Sequence, residues 1–216
     1  MCGRFVLFTT GDDLLAEVAT LPGVDSVEAP DGTPPARYNI APTNQVPLIQ
    51  VAEHEALIDA ARWGLFPSWK KDDTGPPLFN ARGETVAEKP SFRSAFKSRR
   101  GLMVLDGYYE WKQTESGEQP YYVHPEEGLL YAAALWDTGL ERLSTTMVTT
   151  EATDNMAWLH HRLPLFLARD EIEQWVAGTP EEAMELLRPS RVADTFRWNE
   201  AAREVGNVRN DYAGLI

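Results

Sequence analysis

Apolar and polar residues alternate over many short stretches of this chain, which predicts a protein built mainly from β-strands. These stretches are rich in β-branched and aromatic residues and are bounded by residues typical of turns. Strands are predicted over residues 46–51, 56–63, 102–105, 108–111, 121–123, 129–135, 145–150 and 163–167. The first two flank a turn that contains His54.

A second pattern, with the period of a helix, is found near the N-terminus. Leu14, Val18 and Leu21 follow two aspartates at the spacing of one helical face, and Pro22 ends the pattern. Shorter helices are predicted over residues 91–98, 170–176 and 180–187, and surface loops over residues 22–36 and 69–77. The chain is therefore expected to adopt an α+β fold with a largely antiparallel sheet.

Composition narrows the class of protein. With 216 residues, 43% of them hydrophobic, the chain is long enough for one domain, over residues 1–216, with a core of its own. We find no apolar run long enough to span a bilayer and no leader pattern at the start of the sequence. A single cysteine cannot form an internal disulfide, so a cytoplasmic location is expected, with no membrane contact.

The net charge of −13 disfavours a nucleic-acid partner, because neutralising phosphates requires lysine and arginine. The basic residues are not evenly spread, however. Residues 89–100 contain a run of cations without an acid: Lys89, Arg93, Lys97, Arg99 and Arg100. Such a run is either a solvated helix face or part of a local basic channel.

The single cysteine, Cys2, directly follows Met1. If Met1 is removed, Cys2 carries an amine and a thiol on adjacent carbons, with ordinary pKa values of about 8 and about 8.5. Such a 1,2-aminothiol can capture an aldehyde as an imine and then as a five-membered thiazolidine. The alternative is that Cys2 is a small buried hydrophobe.

Three other short segments carry groups suited to acid–base chemistry or anion binding. Asn80-Ala81-Arg82 precedes the basic run, and Glu110 stands between large aromatic residues. His160 and His161 precede an arginine, and on extended backbone their side chains would point in opposite directions. The first two segments have structural alternatives: a turn asparagine and a surface arginine for the first, and a solvent-facing strand glutamate for the second. The four histidines lack zinc spacing, so no metal site is predicted.

Together these segments resemble one family, the SRAP (SOS-response-associated peptidase) family, whose members shield abasic sites in single-stranded DNA. The resemblance follows the family's order over nearly the whole chain. It rests on the motifs at residues 1–5, 37–42, 63–69, 80–85, 106–111, 160–164 and 205–210. Departures occur at Gly101, Val104 and Leu163, none of which is a catalytic position. The resemblance implies a barrel-like sheet.

The resemblance also implies roles for residues. Cys2 would be the cross-linking nucleophile and Asn80 a polar orienting group. Glu110 would be an acid/base, and His160 a second acid/base that assists sugar opening and adduct reversal. Arg82 and Arg162 would contact DNA phosphates. Arg4, Thr149 and Trp111 lie beside them in the motifs and would also contact DNA. Pro42 and Trp69 would be apolar wedges against stacked bases.

The function implied is covalent capture of the abasic-site aldehyde in single-stranded DNA by a monomer without metal or organic cofactor. Two alternatives remain at this level. Cys2 could serve a cysteine peptidase, including one that only removes Met1 from itself. The chain could also bind single-stranded or modified DNA without a covalent step. Replacing Cys2 by Ser separates these possibilities, because serine cannot form a thiazolidine.

Overall fold

The computed structural model describes residues 2–115 and 117–216. Within them the chain forms thirteen strands and five α-helices. The strands are β1 Phe5–Leu7, β2 Ser26–Glu28, β3 Arg37–Ile40, β4 Gln45–Ala52, β5 Glu55–Trp63, β6 Asn80–Arg82, β7 Arg100–Leu105, β8 Gly107–Thr114, β9 Gly117–His124, β10 Leu130–Asp137, β11 Ser144–Glu151, β12 Arg162–Pro164 and β13 Arg197–Glu200. The helices are α1 Gly11–Ala19, α2 Gly83–Val86, α3 Arg93–Ser98, α4 Arg169–Ala177 and α5 Pro180–Glu185.

The larger sheet closes on itself. Its strands follow the order β12-β11-β10-β7-β4-β5-β2, and β5 also pairs in parallel with β11. The path β11-β10-β7-β4-β5 is therefore a ring, and its other pairings are antiparallel. Strand β6 adds to β11 in parallel, outside this path. The prediction of an α+β fold on a largely antiparallel, barrel-like sheet is confirmed.

The smaller sheet positions the N-terminal segment. Its order is β13-β9-β8-β1-β3, with Phe5 opposite Tyr108 in the β1–β8 pair. Opposite residues in an antiparallel pair share a face, and successive residues alternate between faces. Phe5, Tyr108 and Glu110 therefore lie on one face of this sheet, which we call the front. Tyr109 and Trp111 lie on the back.

Two apolar clusters correspond to these surfaces. The main core is formed by the ring, the helices and the front of the smaller sheet, and includes Trp63 and Trp175, both fully buried. A smaller cluster on the back joins Val6, Tyr109 and Tyr122 to Val205 and other residues of the C-terminal segment. The inner strands of the smaller sheet are thus covered on both faces, whereas the edge strand β13 is exposed.

Most predicted elements are present with small differences at their ends. Helix α1 matches the predicted face, with Leu14 and Val18 buried. The strand predicted over 163–167 is shorter, because β12 ends at Pro164. Residues 22–36 are mostly loop but include the short strand β2. In the described part of the chain, no helix is both long and apolar enough to cross a membrane.

The predicted basic channel over residues 89–100 is wrong for Arg100. Its guanidinium is buried and donates to the carbonyls of Phe96 and Lys97 at the end of α3, and to Trp175 and Gly178 at the end of α4. Arg100 therefore satisfies carbonyls that two helix ends leave without partners.

Candidate active site

Cys2 lies three residues ahead of β1 and is fully buried. The side chain of Asn80 donates from Nδ2 to the Cys2 carbonyl at 2.8 Å. Asn80 begins β6, where it pairs with Met147 of β11. A strand attached to the ring thus fixes the backbone of the N-terminal segment. The other side-chain atom of Asn80, Oδ1, is buried and has no hydrogen-bond partner among the described residues.

The environment of Cys2 keeps its thiol protonated. Burial raises the pKa of the Cys2 thiol to about 12, and the negative charge of Glu110 contributes to the rise. The Sγ atom lies 3.8 Å from the Arg4 carbonyl, which can accept its weak hydrogen bond. At neutral pH the thiol must therefore lose its proton to a neighbouring base as it reacts.

Glu110 reaches the same place from β8. It is 5% exposed and lies opposite Tyr121 on the neighbouring strand. Burial raises the pKa of Tyr108 well above its usual value, and the charges of Cys2 and Glu110 raise it further. A buried carboxylate beside a thiol and a neutral phenol is a chemically plausible proton acceptor.

His160 lies close enough to Glu110 to be affected by its charge. Burial lowers the pKa of His160, while the Glu110 carboxylate opposes this shift. Its Nδ1 accepts a hydrogen bond from the Arg162 backbone N–H at 2.9 Å, which favours the tautomer with the proton on Nε2. The Arg162 carbonyl lies 3.3 Å from the same Nδ1 atom, and the lowered pKa favours the neutral ring at pH 7.

The two adjacent histidines do not point in opposite directions as predicted. The rings of His160 and His161 stack with centroids 4.3 Å apart. The prediction assumed extended backbone, but these residues follow a turn and precede β12 rather than lying within a strand.

Arg162 is held by protein groups. Its guanidinium pairs with both carboxylate oxygens of Glu84, at 2.5 and 3.1 Å, and donates to the Thr149 carbonyl at 2.7 Å. It also donates to Thr149 Oγ1 at 3.1 Å. The Nε atom is buried without a partner in the described chain. A phosphate contact by Arg162 or Thr149 stays a prediction, and for Arg162 it would compete with Glu84.

Three other predicted DNA contacts differ in exposure. Arg82 is exposed at the end of β6, opposite Thr149 of β11. Trp69 is 60% exposed, and its indole N–H donates to the Pro90 carbonyl. Pro42 is half-buried just after β3. Their predicted roles as phosphate contact and wedges stay predictions.

Arg4 and Trp111 lie on the back of the smaller sheet, away from the Glu110 side chain. The Arg4 guanidinium lies over the Trp111 ring, with Cζ 5.7 Å from its centroid. It donates to Asn39 Oδ1 and to the carbonyls of Val205 and Gly206. These contacts fasten the N-terminal segment to the C-terminal one, and DNA contact by Arg4 or Trp111 stays a prediction.

The structure therefore brings together the four predicted catalytic residues, Cys2, Asn80, Glu110 and His160, from separate parts of the chain. Sequence reasoning missed Glu84 as the partner of Arg162 and Tyr108 as a neighbour of the thiol. Glu84 lies within the motif at residues 80–85, so the motif was the one feature of the sequence that could have pointed to it.

Among the described residues, no group of three or more histidine, cysteine, aspartate or glutamate side chains is placed to hold a metal ion.

A ring-forming mixed α/β fold with a buried N-terminal cysteine beside a glutamate and a histidine defines the class of protein. A model of the SOS response associated peptidase (SRAP) family matches residues 1–208. The chain belongs to the SRAP family. Two solved structures share the fold, one from Bacteroides thetaiotaomicron and one from Bordetella bronchiseptica, each with a TM-score of 0.75. They are 21% and 19% identical, covering 94% and 93% of this chain and 93% and 100% of theirs.

Relatives of known name agree with this assignment. The abasic site processing protein YedK of Escherichia coli is 33% identical, over 100% of this chain and 99% of its own length. The abasic site processing protein YoaM of Bacillus subtilis is 32% identical, over 100% and 97%. The abasic site processing protein HMCES of Gallus gallus is 33% identical over 81% of this chain and 63% of its own length.

Proposed function

We propose that this protein captures abasic sites in single-stranded DNA as a covalent adduct of Cys2. The observation that carries the proposal is the meeting of the buried Cys2 and Glu110 with the half-buried Asn80 and His160 in one site. The choice of substrate rests on the relatives, because three of them are named abasic site processing proteins.

The chemistry begins with the ring-opened sugar, which exposes an aldehyde. The Cys2 amine adds to the aldehyde carbon, and loss of one water gives an imine. The thiol then adds to the imine carbon: a C–S bond forms, the C=N bond becomes single, and the thiol proton ends on nitrogen. The product is a thiazolidine, and the only other product is water. Because amine and thiol belong to one residue, ring closure benefits from a high effective concentration.

Each neighbouring group has a task in this sequence. Glu110 accepts the proton of the thiol, which its high pKa otherwise retains. His160 exchanges a proton at Nε2 with the sugar oxygen when the ring opens, and again when the adduct reverses. Asn80 holds the Cys2 carbonyl at 2.8 Å and so fixes the direction in which amine and thiol meet the aldehyde.

The amine exists only after Met1 is removed, because in the full chain the Cys2 nitrogen is an amide. The family's name, which calls its members peptidases, fits self-removal of Met1. A peptidase acting on other proteins would have to bring a peptide bond to a thiol that is fully buried.

Intact-mass measurement after incubation with an abasic single-stranded oligonucleotide tests the proposal. We expect one heat-stable product whose mass is that of the Met1-free chain plus the oligonucleotide minus one water. Cys2→Ser should give no heat-stable product. Inserting an alanine between Met1 and Cys2 should also abolish it, although the thiol is retained.

The controls separate the rival functions. A normal yield from the alanine-insertion variant contradicts the thiazolidine mechanism. Unchanged DNA protection by Cys2→Ser would indicate a binding module without covalent chemistry. Cleavage of peptides that depends on Cys2, without any DNA adduct, would indicate a peptidase. Circular dichroism of each variant checks that the fold is intact.

A further inference from the structure

Three aromatic side chains form a cluster on the front of the smaller sheet, and the functions above do not use them. Trp158 lies at the centre, with its ring centroid 5.1 Å from that of Tyr121 and 5.5 Å from that of Trp198. We call Tyr121, Trp158 and Trp198 the aromatic platform. Trp198 lies on the edge strand β13 and is 42% exposed. The platform is therefore open to solvent on one side.

The platform continues the candidate active site. Tyr121 is directly opposite Glu110 in the β8–β9 pair, so both side chains lie on the front of the sheet. Trp158 is two residues before His160 in the same turn segment. A strand of DNA whose lesion is held between Glu110 and His160 would therefore have its neighbouring nucleotides close to these rings.

A cation accompanies the rings. Lys112 lies on the same face as Glu110, two residues further along β8, and its Nζ is 4.6 Å from the centroid of the Trp158 ring. In a chain with a net charge of −13, a lysine beside the site is suited to a phosphate. Aromatic rings next to a cation are the combination by which proteins hold single strands without reading sequence.

The packing of Trp158 is not that of an ordinary structural tryptophan. A buried indole N–H usually has a hydrogen-bond partner, but Trp158 Nε1 is buried and has none in the described residues. By contrast, the buried Trp63 and Trp175 donate to the Phe79 and Gly101 carbonyls, at 2.9 Å each. Trp158 thus packs against the main core without a hydrogen bond from its indole N–H among the described residues.

We propose that the aromatic platform is a stacking subsite for a nucleobase next to the lesion, with Lys112 contacting the phosphate on that side. The proposal rests on the proposed function for its ligand, single-stranded DNA. Edge strand β13 presents Trp198 to the base, while Trp158 and Tyr121 support it from beneath. Any base can stack in this way, so the subsite adds affinity without sequence preference.

The first experiment measures binding of undamaged single-stranded oligonucleotides to Trp198→Ala and Trp198→Tyr. We expect Trp198→Ala to weaken binding about 5- to 150-fold, which corresponds to about 1–3 kcal/mol per stacked base. Trp198→Tyr should restore most of the affinity. The matched control is Phe8→Ala, because Phe8 is 40% exposed and stacks on Tyr38 away from the platform.

The second measurement locates the subsite along the strand. Abasic oligonucleotides are shortened one nucleotide at a time, separately from each end. Shortening from one end should remove the base that stacks on Trp198. Wild type and Trp198→Ala should then bind the shortened oligonucleotide equally well, whereas shortening from the other end should leave the difference between them unchanged. Lys112→Gln should lower the log–log salt slope by roughly 0.7, the value for one phosphate on a single strand.

Several outcomes overturn the subsite. Equal affinity of Trp198→Ala and wild type does so, as does an equal loss in Phe8→Ala. Concentration-dependent self-association that Trp198→Ala removes would assign the platform to a second copy of the chain instead. These results are independent of the covalent step: if wild type forms no adduct but Trp198→Ala still loses affinity for undamaged strands, the proposed chemistry fails and the subsite stands.

Discussion

At the scale of single residues, the thiol of Cys2 is the group whose chemistry depends most on its surroundings. Its burial and the charge of Glu110 both favour the protonated form. A free thiolate at this position would react with any small electrophile that reached it. In the mechanism proposed above, keeping the proton on sulfur until an imine has formed would direct the thiol to the intended partner.

We expect Glu110→Gln to lower the pKa of the Cys2 thiol, because the substitution removes a negative charge that raises it. The pKa should stay above that of a free thiol, since burial is the larger cause and is unchanged. At a fixed pH between 7 and 9, the thiolate fraction and the rate of alkylation should rise by up to roughly tenfold. DNA capture should fall by about 10²–10⁴-fold if Glu110 transfers the proton.

Alkylation followed by mass spectrometry over a range of pH measures this shift. Glu118→Gln on β9 is the matched control, because Glu118 is exposed and hydrogen-bonded to Gln113. An unchanged pH profile in Glu110→Gln would mean that the carboxylate does not act on the thiol.

At the scale of elements, Arg100 joins two helices to the ring. It begins β7, and its guanidinium donates to carbonyls at the ends of α3 and α4. Helix ends carry carbonyls without partners inside the helix, and a cation there is also favoured by the helix dipole. The Arg100 side chain thus provides hydrogen-bond donors to the C-terminal carbonyls of both helices.

We expect Arg100→Ala to lower the free energy of unfolding by at least about 3 kcal/mol, because it leaves several buried carbonyls without donors. Arg100→Lys should recover only part of this loss, since an ammonium cannot reproduce the planar set of donors. The measurement is urea unfolding. Lys97→Ala, on the exposed side of α3, is the control and should change stability by no more than about 0.5 kcal/mol. A small effect of Arg100→Ala would contradict the capping role.

The elements also show what the sequence could and could not predict. Strand β5 and helix α1 follow from local periodicity, because each buries one face along its own length, and β4 follows from its continuous apolar run. The three-residue strands β1, β2 and β6 do not, since so few residues carry no period. Their partners are distant in sequence, and pairing alone defines them.

The same limit applies to the candidate site. The residue types and motifs predicted Cys2, Asn80, Glu110 and His160, but no local pattern showed that Arg162 would be paired with Glu84. Likewise, the run of cations at residues 89–100 looked like one surface. Arg100 instead faces inward because β7 is buried along its whole length, which sequence charge counts do not reveal.

At the scale of the whole molecule, the distribution of charge decides how an acidic protein could hold DNA. A cavity of about 600 Å³ beside α1 is lined by carboxylates, including Asp13, Glu17 and Glu126, and contains none of the four predicted catalytic residues. Such a surface repels phosphates. DNA is therefore expected away from this cavity, on the side of the exposed Arg82.

We expect Arg82→Ala to weaken binding to undamaged and abasic single strands alike and to reduce the log–log salt slope by roughly 0.7. The matched control is Arg188→Ala, because Arg188 is 53% exposed and paired with Glu171. Titrations at several salt concentrations measure both slopes. Equal slopes for Arg82→Ala and wild type would place the phosphates elsewhere.

The closure of the ring has a consequence for how motion reaches the active site. The β5–β11 seam has two paired positions, Arg62 with Ser144 and Thr145 with Trp63, as many as β4–β7, whereas β4 and β5 pair along eight. A short ladder is the place where a closed sheet opens at the lowest cost. Strand β11 also carries β6, and thus Asn80, so opening of the seam would loosen the clamp on Cys2. We therefore expect opening of the seam and loosening of the Cys2 segment to be coupled through β11, the strand that carries both.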